Sequence, residues 1–199
     1  MFAGALLAMV PGAALASPVQ SGPRIEALLG YDSAVFKADD ARVTAHGFSY
    51  GVQAGYDALV GKGAIVGVEA SYLRSAAKRC AGATDGVIDV HECLKADYSY
   101  FVGARVGAWA TDSILLYVKA GYAWEHQKAR IELDDAADGS FIAGDATKQT
   151  AGGVRFGGGA EVAITDAVYM KGEATYSIAN KDDVKFHRVN AMVGAGYRF

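Results

Sequence analysis

Four histidines, two cysteines and a cluster of aspartates are the residues of this 199-residue chain whose types and spacing could do chemistry. His46, His91, His126 and His187 are the available imidazole bases. A hydrolase acting on lipid needs a serine within hydrogen-bond reach of one of them. His126 is followed by Gln127 and Lys128, and His187 by Arg188 and Val189, so neither has a serine two residues on. His46 and His91 fall in or beside polar breaks. Cys80 and Cys93, within RCAGATDGVIDVHEC, could hold zinc together with His91 and Glu92. That set lacks the C-x2-C pair or second spaced histidine of zinc sites. An even cysteine count in an exported chain instead predicts a Cys80–Cys93 disulfide. Closing such a loop would constrain the unfolded chain by roughly 3 kcal/mol in the chain-entropy model.

Asp134, Asp138 and Asp145 stand at positions one, five and twelve of a calcium-loop spacing, with Asp135 and Gly139 among them. Ala136 occupies position three, and the last residue is Asp where such loops use Glu. A solvated acidic loop is the expectation. Gly61-Lys62 does not make a phosphate cradle, because Gly55 lies one residue too far upstream and Gly63 replaces the hydroxyl residue. With 19 basic against 22 acidic residues and a net charge of −3, the chain has no basic excess to neutralise phosphates, which argues against nucleic acid as a partner. The sequence predicts no catalytic residue, no metal and no cofactor.

The elements that hold these residues explain why. Mean hydropathy is positive, +0.14. Beyond the first sixteen residues, however, no apolar run reaches the roughly 18 residues of a membrane helix. The hydrophobicity is spread over segments in which apolar residues alternate with polar residues or glycine. Eight such segments are predicted as strands, at about 24–33, 47–60, 64–75, 96–110, 114–132, 149–165, 167–180 and 187–199. Scattered glycine and the period of two disfavour helices. Breaks at 61–63, 111–113 and 166 are short, whereas those at 34–46, 76–95 and 133–148 are long and polar, with a shorter one at 181–186. An even number of strands, with tight turns at one end and long loops at the other, is the layout of a transmembrane barrel.

Parity assigns the faces, since successive side chains of a strand point oppositely. Val189, Ala191, Val193, Ala195, Tyr197 and Phe199 share one face of the last strand, against Arg188, Asn190, Met192, Gly194, Gly196 and Arg198 on the other. The apolar face could fill a soluble barrel or meet lipid. Aromatic residues near strand ends on that face (Tyr31, Phe48, Tyr50, Tyr72, Tyr98, Tyr100, Tyr122, Trp124, Tyr176 and Tyr197) fit interfacial girdles. Glycine on the polar face suits a narrow lumen. The charges of that face also balance: Glu26, Glu69, Glu125, Glu161 and Glu173 against Arg105, Lys119, Arg155, Lys171 and Arg198. A confined interior requires such pairing and a solvated surface does not. The reading is all-β: an eight-stranded antiparallel up-and-down transmembrane barrel.

The run GGVRFGGGAEVAITDAVYMKGEATY, from Gly152 to Tyr176, is similar to the penultimate hairpin of small opacity-type outer-membrane proteins, and VGAGYRF, from Val193 to Phe199, resembles their final strand. The resemblance implies a porin-family-like barrel in the outer membrane of a Gram-negative bacterium, reached by export through the periplasm. It also implies that Tyr197 and Phe199 form the signal read by the barrel-assembly machinery. Small lipid A deacylase barrels carry His-x-Ser on a strand, and this chain departs from that pattern.

Residues 1–16, MFAGALLAMVPGAALA, carry no charge and end in an A-x-A pattern before Ser17, which predicts a removed signal peptide followed by a barrel domain over 17–199. The functional expectation is a non-enzymatic, monomeric barrel in outer-membrane lipid, with an envelope-structural or surface-interaction role through loops that meet an extracellular partner. A narrow pore for small solutes is the alternative, and a lipid-modifying enzyme a weaker one.

Overall fold

The computed structural model describes residues 21–38, 41–61, 63–84, 88–135, 140–181 and 184–199. Residues 1–16, and with them the expected signal peptide, lie outside these ranges, as do Asp138 and Gly139. Nine strands follow one another: β1 (Gly22–Ala38), β2 (Ala41–Val60), β3 (Ala64–Ser75), β4 (Lys78–Thr84), β5 (Ile88–Trp109), β6 (Ile114–Asp135), β7 (Phe141–Ala163), β8 (Val168–Lys181) and β9 (Val184–Arg198). Each pairs antiparallel with its neighbours, and β1 pairs with both β2 and β9, so the sheet closes on itself. Closure leaves no unpaired strand edge within the ring; above it, β7 pairs only with β6 before Gly152, and β4 only with β5 after Lys78.

The ring has eight places, because β3 and β4 share one. β3 pairs with β2 and β5 as far as Ser75 and Arg74, and β4 then takes up the same position, with His46 opposite Lys78 and Cys80 opposite Cys93. At the break between them the backbone stays bonded on both sides. Ala76 N–H donates to the Phe48 carbonyl at 2.8 Å, and Ala96 N–H donates to the Ala77 carbonyl at 3.0 Å. A second irregularity faces it: the register of β5 against β6 shifts between Ala96 and Tyr98, making Asp97 an extra residue.

Inside and outside alternate as the sequence predicts. On β9, Arg188, Asn190, Met192, Gly194, Gly196 and Arg198 are buried while Val189, Ala191, Val193, Ala195 and Tyr197 are exposed. Glycine lets large side chains share the lumen. A Cβ added to Gly196 would lie 2.2 Å from the Tyr169 ring, so only glycine accommodates that tyrosine across the β8–β9 pair. The tight β2–β3 turn uses Gly61 at a φ of 66°, in the left-handed region.

The long breaks are not irregular loops. Most of the residues expected there extend the strands as paired hairpins, with Ser33 to Ala38 opposite Ala41 to His46 and Lys78 to Thr84 opposite Asp89 to Lys95. β6 and β7 reach 22 and 23 residues, about twice the 9–11 that cross a bilayer. Their outer portions project beyond the apolar belt.

Candidate functional site

The lumen is filled in layers. Nearest the short turns, buried Ile65 and Leu115 lie beneath a cluster of five cations and five carboxylates. Arg24 bridges Glu26, Asp57 and Glu69; Arg105 and Arg198 each bridge Asp57 and Glu161. Lys119 reaches Glu69 at 2.6 Å and Glu173 at 2.9 Å, while Lys171 reaches Glu26 at 2.8 Å and Glu173 at 3.0 Å. Gln53 donates to Glu69 at 3.0 Å, and the Tyr117 hydroxyl donates to Glu173 at 2.7 Å. The cations sit over rings as well: Arg105 and Lys171 over Tyr117, and Arg198 over Tyr169, at 4.8–5.2 Å.

Above this cluster, Leu28, Leu73 and Met192 pack together beside buried Phe101. Phe101 receives Lys119 from below at 4.9 Å and Arg155 from above at 5.5 Å. A second charged layer follows. Arg188 bridges Asp32 at 2.7 Å and Glu125, and Arg155 bridges Glu125 at 2.6 Å. Ser177, Ser99 and Asn190 complete its hydrogen bonds. Ala34, Ala45, Ala77, Ala96, Ala151 and Ala179 then surround Phe186 as an apolar cap. The charges of both layers are all but excluded from solvent, yet each layer balances by itself. The cavity at the turn end, between Trp109, Glu161 and Arg198, holds about 10 Å³, near the size of one water.

All ten charged lumen residues expected from the sequence are therefore inward and ion-paired. Four partners were not in that set: Arg24, Asp32, Asp57 and Arg188. Their parity was the available signal. Arg24 and Asp32 lie an even number of positions from Glu26, as Asp57 does from Gln53.

The outer wall is apolar, and its aromatic residues gather toward the hairpin end. Tyr72, Tyr98 and Tyr100 form one group with ring centroids 5.1–5.9 Å apart, and Tyr122 packs edge-on against Trp124 at 4.9 Å. Tyr197 and Phe199 meet at the opposite end of the wall, 4.9 Å apart. Three of the histidines join the hairpin-end girdle, each stacked on a tyrosine: His46 on Tyr31, His126 on Tyr98, and His187 on Tyr176. The fourth, His91, stands in the β4–β5 hairpin 3.8 Å from Asp134. Just beyond the girdle, Arg74, Lys95 and Lys128 converge on Asp97, the extra residue of the β5 bulge.

In the projecting part, every residue from 142 to 150 is exposed, whichever face it occupies. Cys80 and Cys93 are bonded directly across β4 and β5, with Cα atoms 4.1 Å apart. Asp134 pairs with Phe141 and Asp145 with Ile131, on separate strands. Among the described residues, no three of His, Cys, Asp or Glu gather as metal ligands.

A family model described as the outer membrane protein beta-barrel domain matches residues 2–199. The chain is 31% identical over 169 residues to a 31 kDa outer-membrane immunogenic protein of Brucella melitensis, covering 79% of this chain and 68% of that protein. Among solved structures it is similar to Neisserial surface protein A, with 20% identity, a TM-score of 0.54 and coverage of 90% and 98% of the two chains. OprG of Pseudomonas aeruginosa is also similar in fold, with 13% identity, a TM-score of 0.50 and coverage of 92% and 99%.

Proposed function

The chain belongs to the outer-membrane protein beta-barrel domain family, and on that premise we propose that it is a non-enzymatic surface protein whose barrel anchors and whose hairpins display. Barrels of this kind put short turns in the periplasm and long connections outside, so the β1–β2, β4–β5, β6–β7 and β8–β9 hairpins face the exterior. The observation that carries the reading is the layered lumen: two separately neutral ion-pair layers with apolar layers between and above them. A solute path would have to break several buried ion pairs at once. The projecting hairpins offer polar surface on both faces, stiffened by backbone pairing and the Cys80–Cys93 bond. The name of the Brucella relative, an immunogenic outer-membrane protein, fits a segment visible from outside the cell. Tyr197 and Phe199 at the end of β9 serve as the segment recognised during barrel assembly, and the folded chain acts as a monomer.

Two measurements test this. In planar bilayers the purified protein gives no steady conductance, only small flickering currents at most. An epitope placed between Gly144 and Lys148 is reached by antibody on intact cells. Stable, porin-sized channels across independent preparations would replace the display reading with a transport one.

A further inference from the structure

One sector of the outer wall joins an apolar groove to a cationic cluster. Ala27, Ala54, Ala70 and Ala195, short residues on neighbouring strands, floor a groove of about 850 Å³ on the lipid-facing side. At its hairpin end stand Tyr72 and Tyr100, also part of its lining. Immediately beyond them, Arg74 lies opposite Tyr98 in the β3–β5 ladder. There Arg74, Lys95 and Lys128 reach Asp97 at 3.6, 4.0 and 2.7 Å, each cation close to half exposed and Asp97 itself buried. One carboxylate cannot neutralise three cations, so the cluster keeps a surplus of two positive charges. It keeps them just beyond the aromatic girdle, beside the lipid headgroups.

We propose that this strip binds one phosphorylated lipid of the outer leaflet, with its phosphate among Arg74, Lys95 and Lys128 and its acyl chain in the groove. The chemistry favours that occupant. A cluster of lysine and arginine donates charge-assisted hydrogen bonds to phosphate oxygens. A groove within the hydrocarbon layer excludes a peptide strand, whose backbone would be left unsatisfied there, but suits an acyl chain, which has no polar group to satisfy. A second copy of the barrel related by a two-fold axis would set cation against cation. Asp97 has a positioning part: it holds three long side chains together before the phosphate arrives.

The site rests on the outer-membrane barrel reading, which is checked separately by comparing the gel mobility of boiled and unboiled protein, a folded barrel migrating differently before boiling. The test is native mass spectrometry of the full, folded chain released from detergent with phosphatidic acid or phosphatidylcholine of identical acyl chains. The wild type is expected to retain a single phosphatidic acid in at least tenfold preference to phosphatidylcholine. R74Q/K95Q/K128Q abolishes that preference. Ala70→Phe, which fills the groove floor, lowers retention of phosphatidic acid at least fivefold with the cations intact. If the triple variant does not fold, Lys128→Gln alone is expected to cut the preference about threefold. Inorganic phosphate at millimolar concentration does not displace the lipid. The proposal is overturned if the cation variants keep the wild-type preference, if Ala70→Phe changes nothing, if lipid adds without saturation, or if inorganic phosphate empties the site.

Discussion

The barrel body and the hairpins that rise from it are one continuous sheet, yet they are held by different forces. In the body every strand has a buried and an exposed face, and inward residues such as Arg188 are locked by partners on several strands. In the projecting part of β7 the side chains are exposed on both faces. The backbone ladder with β6 persists there, and one disulfide staples the neighbouring β4–β5 hairpin. The body is over-determined by side chains, whereas the hairpins are determined by backbone pairing. Side-chain identity should therefore matter greatly below the girdle and little above it, which leaves the projecting hairpins free to vary without unfolding the barrel body.

Substitutions on either side of that boundary can break the contrast. The largest effect is expected for Arg188→Ala, which leaves Asp32 and Glu125 buried with a missing partner and should cost about 3–5 kcal/mol in refolding titrations. An equivalent truncation above the girdle, Lys148→Ala, should change the midpoint by no more than about 0.5 kcal/mol. Val193→Arg puts a charge on the lipid-facing wall and should cost roughly 2–4 kcal/mol if that side chain lies at mid-bilayer depth; a neutral result would favour a soluble barrel.

The staple sharpens the contrast. Cys80 and Cys93 should label with a thiol reagent only after reduction. Cys80→Ser with Cys93→Ser should speed proteolysis of the β4–β5 hairpin while leaving the barrel midpoint nearly unchanged. Quantitative labelling of unreduced protein would refute the bond.

The smallest effect belongs to the boundary itself, at Asp97. Burial opposes ionisation of this carboxyl, but the hydrogen bond from Lys128 and the charges of Lys128, Lys95 and Arg74 outweigh it and hold its pKa below the ordinary 3.8. A carboxyl lowered on folding stabilises the protein above its unfolded pKa and loses that contribution as pH falls through the folded value. With half-exposed partners the contribution should be a few tenths to about 1 kcal/mol. Wild type and Asp97→Asn should thus differ in thermal midpoint at pH 7 and converge in strong acid; a gap unchanged by acid would show that the charge is not responsible.

The sequence revealed most of the body because burial writes itself as alternation. The parity of β9 alone separates Arg188 and Arg198 from Val189 and Tyr197. It revealed little of the hairpins, because residues such as Ile142 to Thr150 face water on both sides and have no alternation to read, although their backbones continue the ladder with β6. Asp32 keeps the inward parity of Glu26 and was legible on the same ground as Arg188, since burial still alternates there. The bulge at Asp97 could not be read at all. An inserted residue alters the register of two strands against each other, and one strand's pattern contains no record of its partner's.

The separate neutrality of the two lumen layers also has an electrical consequence. Carrying one elementary charge through a potential of 100 mV involves about 2.3 kcal/mol. A plug whose five cations face five carboxylates, beneath a layer of two and two, offers a transmembrane field no net charge to pull upon. The barrel can stand across a charged membrane with no net pull on either layer as a whole, so the field does not drive one layer past the other.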